Sequence, residues 1–333
     1  MENKKYKLTD ETIEVEGKTL YRIEALKDFN GVVKRDKGGF IESEKNLSQE
    51  GECWIYNDAC VYDDAYVSEQ ARILDNVTIK NTAIVTGHAL VYQNAKIFGN
   101  ARVFGCSEVS GYAQVYGNSK IFAGAEIRDN ANIYENVTVY DDVIVSGNAR
   151  IYGDARIYGN SFVYGNARVF GYARIYGDAW VFDNACVCGY ARVYDTACVY
   201  GNALVSDNAI AFGSSKIHGH ARVLNHSSVG GISWVFGDSI ISGNSIVKDN
   251  AKICGEAKIT SFNDYVVFKE CWNTGMYITW TRSNNMWKTE HFYGTSEELV
   301  KKAYKHSEKN GRQYERLVKY VEETLKEEEN GGE

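Results

Sequence analysis

Residues 163–182 read VYGNARVFGYARIYGDAWVF, three near-copies of one six-residue phrase. Each copy opens on Val or Ile, passes through an aromatic residue and Gly, and reaches Ala at its fifth place. The period runs outward in both directions without slipping. Every sixth residue from Ile55 to Ile259 is Ile or Val except Ala211, and up to Ile253 the residue four places on is Ala or Ser except at Val77, Val137 and Val143. β-Branched residues favour extended backbone, whereas Gly, Asn and Asp accept the positive φ that a tight corner requires. A fixed short period of this kind signals a solenoid. Each hexad is read as a short strand plus a corner, with the aliphatic and the small side chain both turned inward.

This pattern of aliphatic residue, three variable positions, small residue and variable residue resembles the hexapeptide-repeat family over residues 55–258. The resemblance implies an all-β solenoid, a left-handed parallel β-helix in which three hexads close one triangular coil; the hand rests on the resemblance alone. The hexads make about eleven coils, and at about 4.8 Å per coil the prism is expected to be roughly 50 Å long. Terminal coils expose unpaired strand edges, so both ends need caps.

Three regions follow. Residues 1–54 form an N-terminal β-hairpin cap: TIEVEGKTLYRIEAL alternates, with a turn at Glu16-Gly17. Residues 55–260 form the β-helix. Residues 261–333 form a C-terminal α+β cap module, with strands in DYVVF, GMYITWTR and MWKTEHFYG followed by two helices. Ser296 is the expected N-cap, Gly311 the expected helix break, and Leu317, Tyr320, Val321 and Leu325 share one helical face. The stretches DFN, GGFIES, NLS and GECWIY before the first hexad resemble uncharacterised hexapeptide-repeat proteins of enterobacteria, phages and prophages, often labelled acyltransferases. That resemblance implies a phage or prophage protein in a bacterial cytoplasm.

Composition narrows the function classes. The chain has no apolar run long enough to span a membrane, and its start lacks the apolar stretch of a secretory signal, so a cytoplasmic protein without membrane attachment is expected. A net charge of -7 disfavours indiscriminate binding to nucleic acid. Eight cysteines without a CxxC signal neither zinc nor a disulfide framework. No metal and no cofactor is expected.

The family's acyl-CoA-dependent acyltransferases work as homotrimers with a histidine base, so the resemblance offers that activity as one reading. It needs a placed histidine. His218, His220 and His226 are the only grouping among six, the repeat has no inserted loop to build an acceptor site, and no catalytic residue is assigned. Cys186 and Cys188 flank Val187 and point outward side by side. With no charge or histidine seen at adjacent hexad positions, they are expected to be plain surface thiols.

The outer faces carry the other reading. Side chains three hexads apart stack, and one face collects Arg102, Lys120, Thr138, Arg156, Arg174 and Arg192 beside Phe104, Phe122, Tyr140, Tyr158, Tyr176, Tyr194 and Phe212. This face is the expected contact for an acidic protein surface or a nucleic acid, its cations pairing with anions and its rings offering stacking surfaces. A second face repeats the theme with Arg150, Arg168, Tyr134, Tyr152 and Phe170. The third, around Ile144, Phe162, Tyr164, Trp180, Phe182, Cys198, Tyr200, Trp234 and Phe236, is apolar and almost uncharged. An apolar strip of that length calls for cover, hence the expectation of a homo-oligomer, trimer or dimer, through Phe162, Tyr164, Trp180, Phe182 and Tyr200. The reading is therefore a non-enzymatic interaction or scaffold protein, with acyltransferase as the alternative.

Overall fold

The computed structural model describes residues 4–330 apart from 271, 273 and 274, and the side chains of residues 329 and 330 also lie outside the description. Cys271, one of the cysteines read as a structural thiol, falls outside it. The chain divides into two compact units, Met1–Asn202 and Ala203–Glu333.

In the first unit a two-residue strand recurs with the hexad period from Trp54–Ile55 to Cys198–Val199. Strands pair in parallel with the strand three hexads on within the unit, as in Arg150 with Arg168, Arg156 with Arg174 and Phe162 with Trp180, one pair in each of three sheets. This is a parallel β-solenoid. The aliphatic residues and the Ala or Val at the fifth place are fully buried, among them Val163, Ala167, Val169 and Ala173. Where Ser replaces Ala, its hydroxyl at most positions donates to the carbonyl three positions back, as from Ser119 to Tyr116 at 2.8 Å, which satisfies a buried polar group locally; the buried Ser215 hydroxyl is an exception.

The corners explain the Gly, Asn and Asp pattern. The residue two places after each aliphatic up to Ile253 adopts a left-handed φ, 60° at Asp63 and 76° at Gly153. At Gly153 a Cβ would lie 2.7 Å from the Gly171 nitrogen one coil away, so close coil stacking adds a second reason for glycine. Side chains lock successive corners: Asn130, Asn148, Asn166, Asn184 and Asn202 hydrogen-bond in series at 3.1 or 3.2 Å. Backbone N–H groups on either side of each strand donate to the next coil, for example Arg156 to Ala173 and Tyr158 to Ile175, both at 3.0 Å. Proline has no N–H to donate, which accounts for its absence from the repeat.

The N-terminal hairpin forms as expected. Tyr6–Val15 pairs antiparallel with Lys18–Ala25 across a turn with φ of 50° at Glu16 and 77° at Gly17. Lys37–Ile41 joins Lys18–Ala25 on one side and runs parallel to Cys60–Val61 on the other, and Leu47 bridges Val67. The GGFIES and NLS stretches thus already follow two sides of the prism. Buried Lys5 donates to the Cys53 carbonyl at 3.0 Å, and burial holds its pKa below the usual lysine value.

The second unit carries the same solenoid from Leu204–Val205 to Lys258–Ile259, with Leu204 opposite Arg222 and Ser228 opposite Ile246. A four-stranded antiparallel sheet follows, Tyr265–Lys269, Tyr277–Thr281, Met286–Lys288 and Tyr293–Gly294, and then helices α1 (Ser296–His306) and α2 (Glu308–Asn330). The module closes exposed edges of the last coils: the Lys252 and Lys258 N–H groups donate to Thr279 and Ser283 hydroxyls at 2.9 and 2.6 Å. The N-cap is Thr295, not Ser296, in a capping box with Glu298. The helices break at Ser307, and Gly311 lies inside α2, where a Cβ would sit 2.3 Å from the Tyr304 ring. That glycine serves helix–helix approach rather than termination. Val321 is buried with Trp280, Trp287, Tyr314 and Val318, Leu317 and Leu325 pack on that cluster, and Tyr320 instead is exposed with its ring edge toward Phe268. Among the described residues, no helix is long and apolar enough to cross a membrane.

Candidate functional site

The cationic row forms in the first unit. Arg102, Lys120, Thr138, Arg156, Arg174 and Arg192 are successive Cα partners on parallel strands of one sheet, and all but Thr138 are exposed. Adjacent strands are about 4.8 Å apart, and like charges at that distance repel by about 1 kcal/mol in water. Among the described residues the ion pairs run elsewhere, as from Arg128 to Glu126 at 3.6 Å, and no carboxylate compensates this row. Nor does any of its cations lie over a ring; the arginine–ring contact among the described residues joins Arg22 to Phe40. The fold therefore tolerates an uncompensated stack of guanidinium groups.

The aromatic row beside it forms a stacked ladder. Tyr140, Tyr158, Tyr176 and Tyr194 stack face to face at 4.8 to 5.1 Å with planes within 6° of parallel, and Phe104 and Phe122 extend the ladder. The ring faces are occupied by one another, so bases have no platform along the ladder; only ring edges meet solvent. Burial pushes the Tyr140 phenol above its usual pKa, while Arg156 and Arg174 pull it down. Stacking in register excludes water from the sheet, a structural task, and leaves anion contact to the arginines.

In the first unit the third face is apolar from Ile144 to Tyr200, whereas Arg72, Glu108 and Glu126 occupy earlier strands of the same sheet. There Tyr164, Phe182 and Tyr200 stack at 4.9 Å, Phe162 packs on Trp180 at 4.8 Å, and Trp180 remains 40% exposed. In the second unit Lys216 and Lys252 stand 4.8 and 5.5 Å from the Trp234 ring, and Lys288 stands 5.7 Å from Phe236. The expectation of an almost uncharged strip fails there, because the first two lysines occupy strand positions on the same sheet.

The three histidines are not brought to one point. His218 is half-buried, stacked on Phe236 at 5.1 Å as a rung of a ladder, and burial lowers its pKa with Lys216 adding to the effect. His220 lies at an exposed corner 3.8 Å from Asp238, and His226 at a different exposed corner 3.3 Å from Asn208. Cys186 departs from its reading. The hydrogen bond from Cys188 and the charge of Arg168, its strand partner one coil away, outweigh burial and hold the Cys186 thiol down at about 7. The neighbouring charge sits three hexads back in the chain and so was not visible at adjacent hexads.

A feature that the repeat pattern did not signal lies in the C-terminal module. A cavity of about 370 Å³ is lined by Glu270, Met276, His291, Phe292, Lys302, His306 and Tyr314 among others. Glu270 is buried and accepts a hydrogen bond from the Tyr314 hydroxyl at 3.2 Å, and Lys302 donates to the His291 carbonyl at 2.8 Å. Glu270 and Tyr314 are far apart in an aperiodic region of the chain, so nothing in the sequence linked them.

The family-model match to known proteins lies in the solenoid. Residues 149–163 and 161–177 match the family model described as YdcK Beta solenoid repeat. The chain is 50% identical over 38 residues to "Uncharacterized acetyltransferase YdcK" of Escherichia coli (strain K12), a match covering 11% of this chain and 12% of that protein. Repeat and fold together bear out the hexapeptide-repeat resemblance, and the stretch matched by the family model includes Arg150, Arg156, Arg168 and Arg174.

Proposed function

We propose that this chain is a non-enzymatic β-solenoid interaction protein, of phage or prophage provenance, whose arginine row grips an acidic face of a protein partner. The observation that supports it is the stack of Arg156, Arg174 and Arg192, exposed and uncompensated among the described residues. Carboxylates brought to the row would relieve its internal repulsion and accept bidentate guanidinium contacts. A nucleic acid fits less well: the net charge of -7 opposes a long polyanion, and the stacked tyrosines offer no faces to bases. Self-association through Phe162, Tyr164, Trp180, Phe182 and Tyr200 belongs to the same proposal.

The test measures binding of polyglutamate and of a single-stranded oligonucleotide to the protein across a salt series. Polyglutamate should bind, weaken steeply with salt, and be lost in the triple variant Arg156→Glu, Arg174→Glu, Arg192→Glu at an unchanged melting temperature. Equal binding by the folded triple variant would refute the proposal, and oligonucleotide binding without polyglutamate binding would move it to nucleic acid.

A second reading, an acyl-CoA-dependent O- or N-acyltransferase acting as a homotrimer, draws on the word acetyltransferase in the name of YdcK. Saturable acetyl-CoA binding lost on replacing His218, His220 or His226 would favour it over the first.

A further inference from the structure

We propose that Cys186 and Cys188 form a dithiol site that takes one soft, thiophilic centre, a trivalent arsenical, between their two sulfurs. The strand places them. Val187 is fully buried, so the residues on either side turn outward together, and both are half-buried on the same face of the prism. Their thiols are within hydrogen-bond reach of each other. A pyramidal centre bonded to both sulfurs at about the 2.3 Å of a metal–thiolate bond holds them under about 4 Å apart, the same scale as a thiol–thiol hydrogen bond, so a bridging arsenic asks for little movement.

The surroundings favour the thiolate that such bonding needs. The hydrogen bond from Cys188 is the main support of the Cys186 thiolate against burial, and the charge of Arg168, the strand partner of Cys186, adds to it. The row beyond continues into rings: Cys188 follows Phe170 by one full coil of three hexads, and Phe170 stacks on Tyr152 at 4.8 Å. That leaves an apolar wall beside the sulfurs, suited to a soft centre carrying an organic group.

Ligand number sets the class. Among the described residues no three His, Cys, Asp or Glu side chains converge to hold an ion, so a four-coordinate protein site is not built here. Two sulfurs alone suit centres content with few ligands. A disulfide is a poorer fit, because residues two apart on an extended strand hold their Cα atoms at about 6.6 Å, near the upper limit for an S–S bridge. The reaction with phenylarsine oxide balances without an oxidant: two S–As bonds form, the As–O bond breaks, and the oxide oxygen leaves with both thiol protons as water.

Phenylarsine oxide added to the full chain tests this by intact-mass spectrometry and by peptide mapping of thiols protected from N-ethylmaleimide. One adduct per chain is expected, stable to excess 2-mercaptoethanol, removed by dithiothreitol, and protecting Cys186 and Cys188 together. Cys186→Ser and Cys188→Ser should each abolish it, and Cys106→Ser should retain it. No adduct on the unsubstituted chain, protection of other cysteines in place of this pair, or an adduct surviving either serine change would overturn the proposal.

Discussion

Tyr158→Ala and Arg156→Ala remove adjacent outward side chains from one strand, and the structure assigns them opposite consequences. The Tyr158 ring is stacked on Tyr140 at 5.1 Å and on Tyr176 at 4.9 Å, with planes within 4° and 3°. Aromatic pairs contribute about 0.5–1.5 kcal/mol each beyond area burial, and with the apolar area of a half-buried ring the loss comes to about 2–4 kcal/mol. Arg156 is exposed, with neither a carboxylate nor a ring against it among the described residues, so its truncation should stay within about 0.5 kcal/mol of neutral. Solenoid stability is a sum of neighbour terms, so the loss should be local as well as global. Urea unfolding followed by circular dichroism reads the total. Amide exchange should show residues 138–178 opening faster in Tyr158→Ala and unchanged in Arg156→Ala. Equal destabilisation by the two changes would refute the reasoning, since the guanidinium would then be an internal partner of the ladder rather than an available anion contact.

Val169→Asp places a carboxylate at a fully buried position with no partner, which costs several kcal/mol and should collapse the solenoid; an unchanged melting temperature would show the side chain to face outward. Trp180→Lys should dissociate the oligomer in sedimentation velocity, because a charge would be desolvated in an apolar contact, and a monomeric unsubstituted protein would end that reading. Burial, reinforced by Glu270, pushes the Tyr314 phenol up to about 12 from 10.0. Because the folded value is the raised one, that contribution to stability is whole below pH 10 and lost as pH climbs toward 12. Far-UV circular dichroism should show the C-terminal module weakening over that window, with Tyr314→Phe flattening the dependence; identical alkaline titrations of the two proteins would contradict it.

The hexad register was legible in full from residues such as Val163, Val169 and Ile175, because a strict period leaves one way to bury every aliphatic: coil upon coil, each strand paired with its counterpart three hexads on. The corner glycines and asparagines were legible for the same local reason, since a positive φ restricts residue choice wherever it occurs. The rows of side chains on each face followed from arithmetic alone. What those side chains touch there did not, because it depends on rotamers and neighbours across coils: Arg156, Arg174 and Arg192 have no carboxylate within ion-pair distance among the described residues, and Lys216 and Lys252 reach over Trp234. Arg168 influences Cys186 only because coil closure brings positions three hexads apart into contact. The cavity lined by Glu270 and Tyr314 and the role of Gly311 belong to aperiodic chain, where strand and helix segments can be recognised one by one but their mutual packing has no repeat to dictate it. Periodicity determined the scaffold; tertiary packing decided which of its side chains are already engaged and which remain to meet a partner.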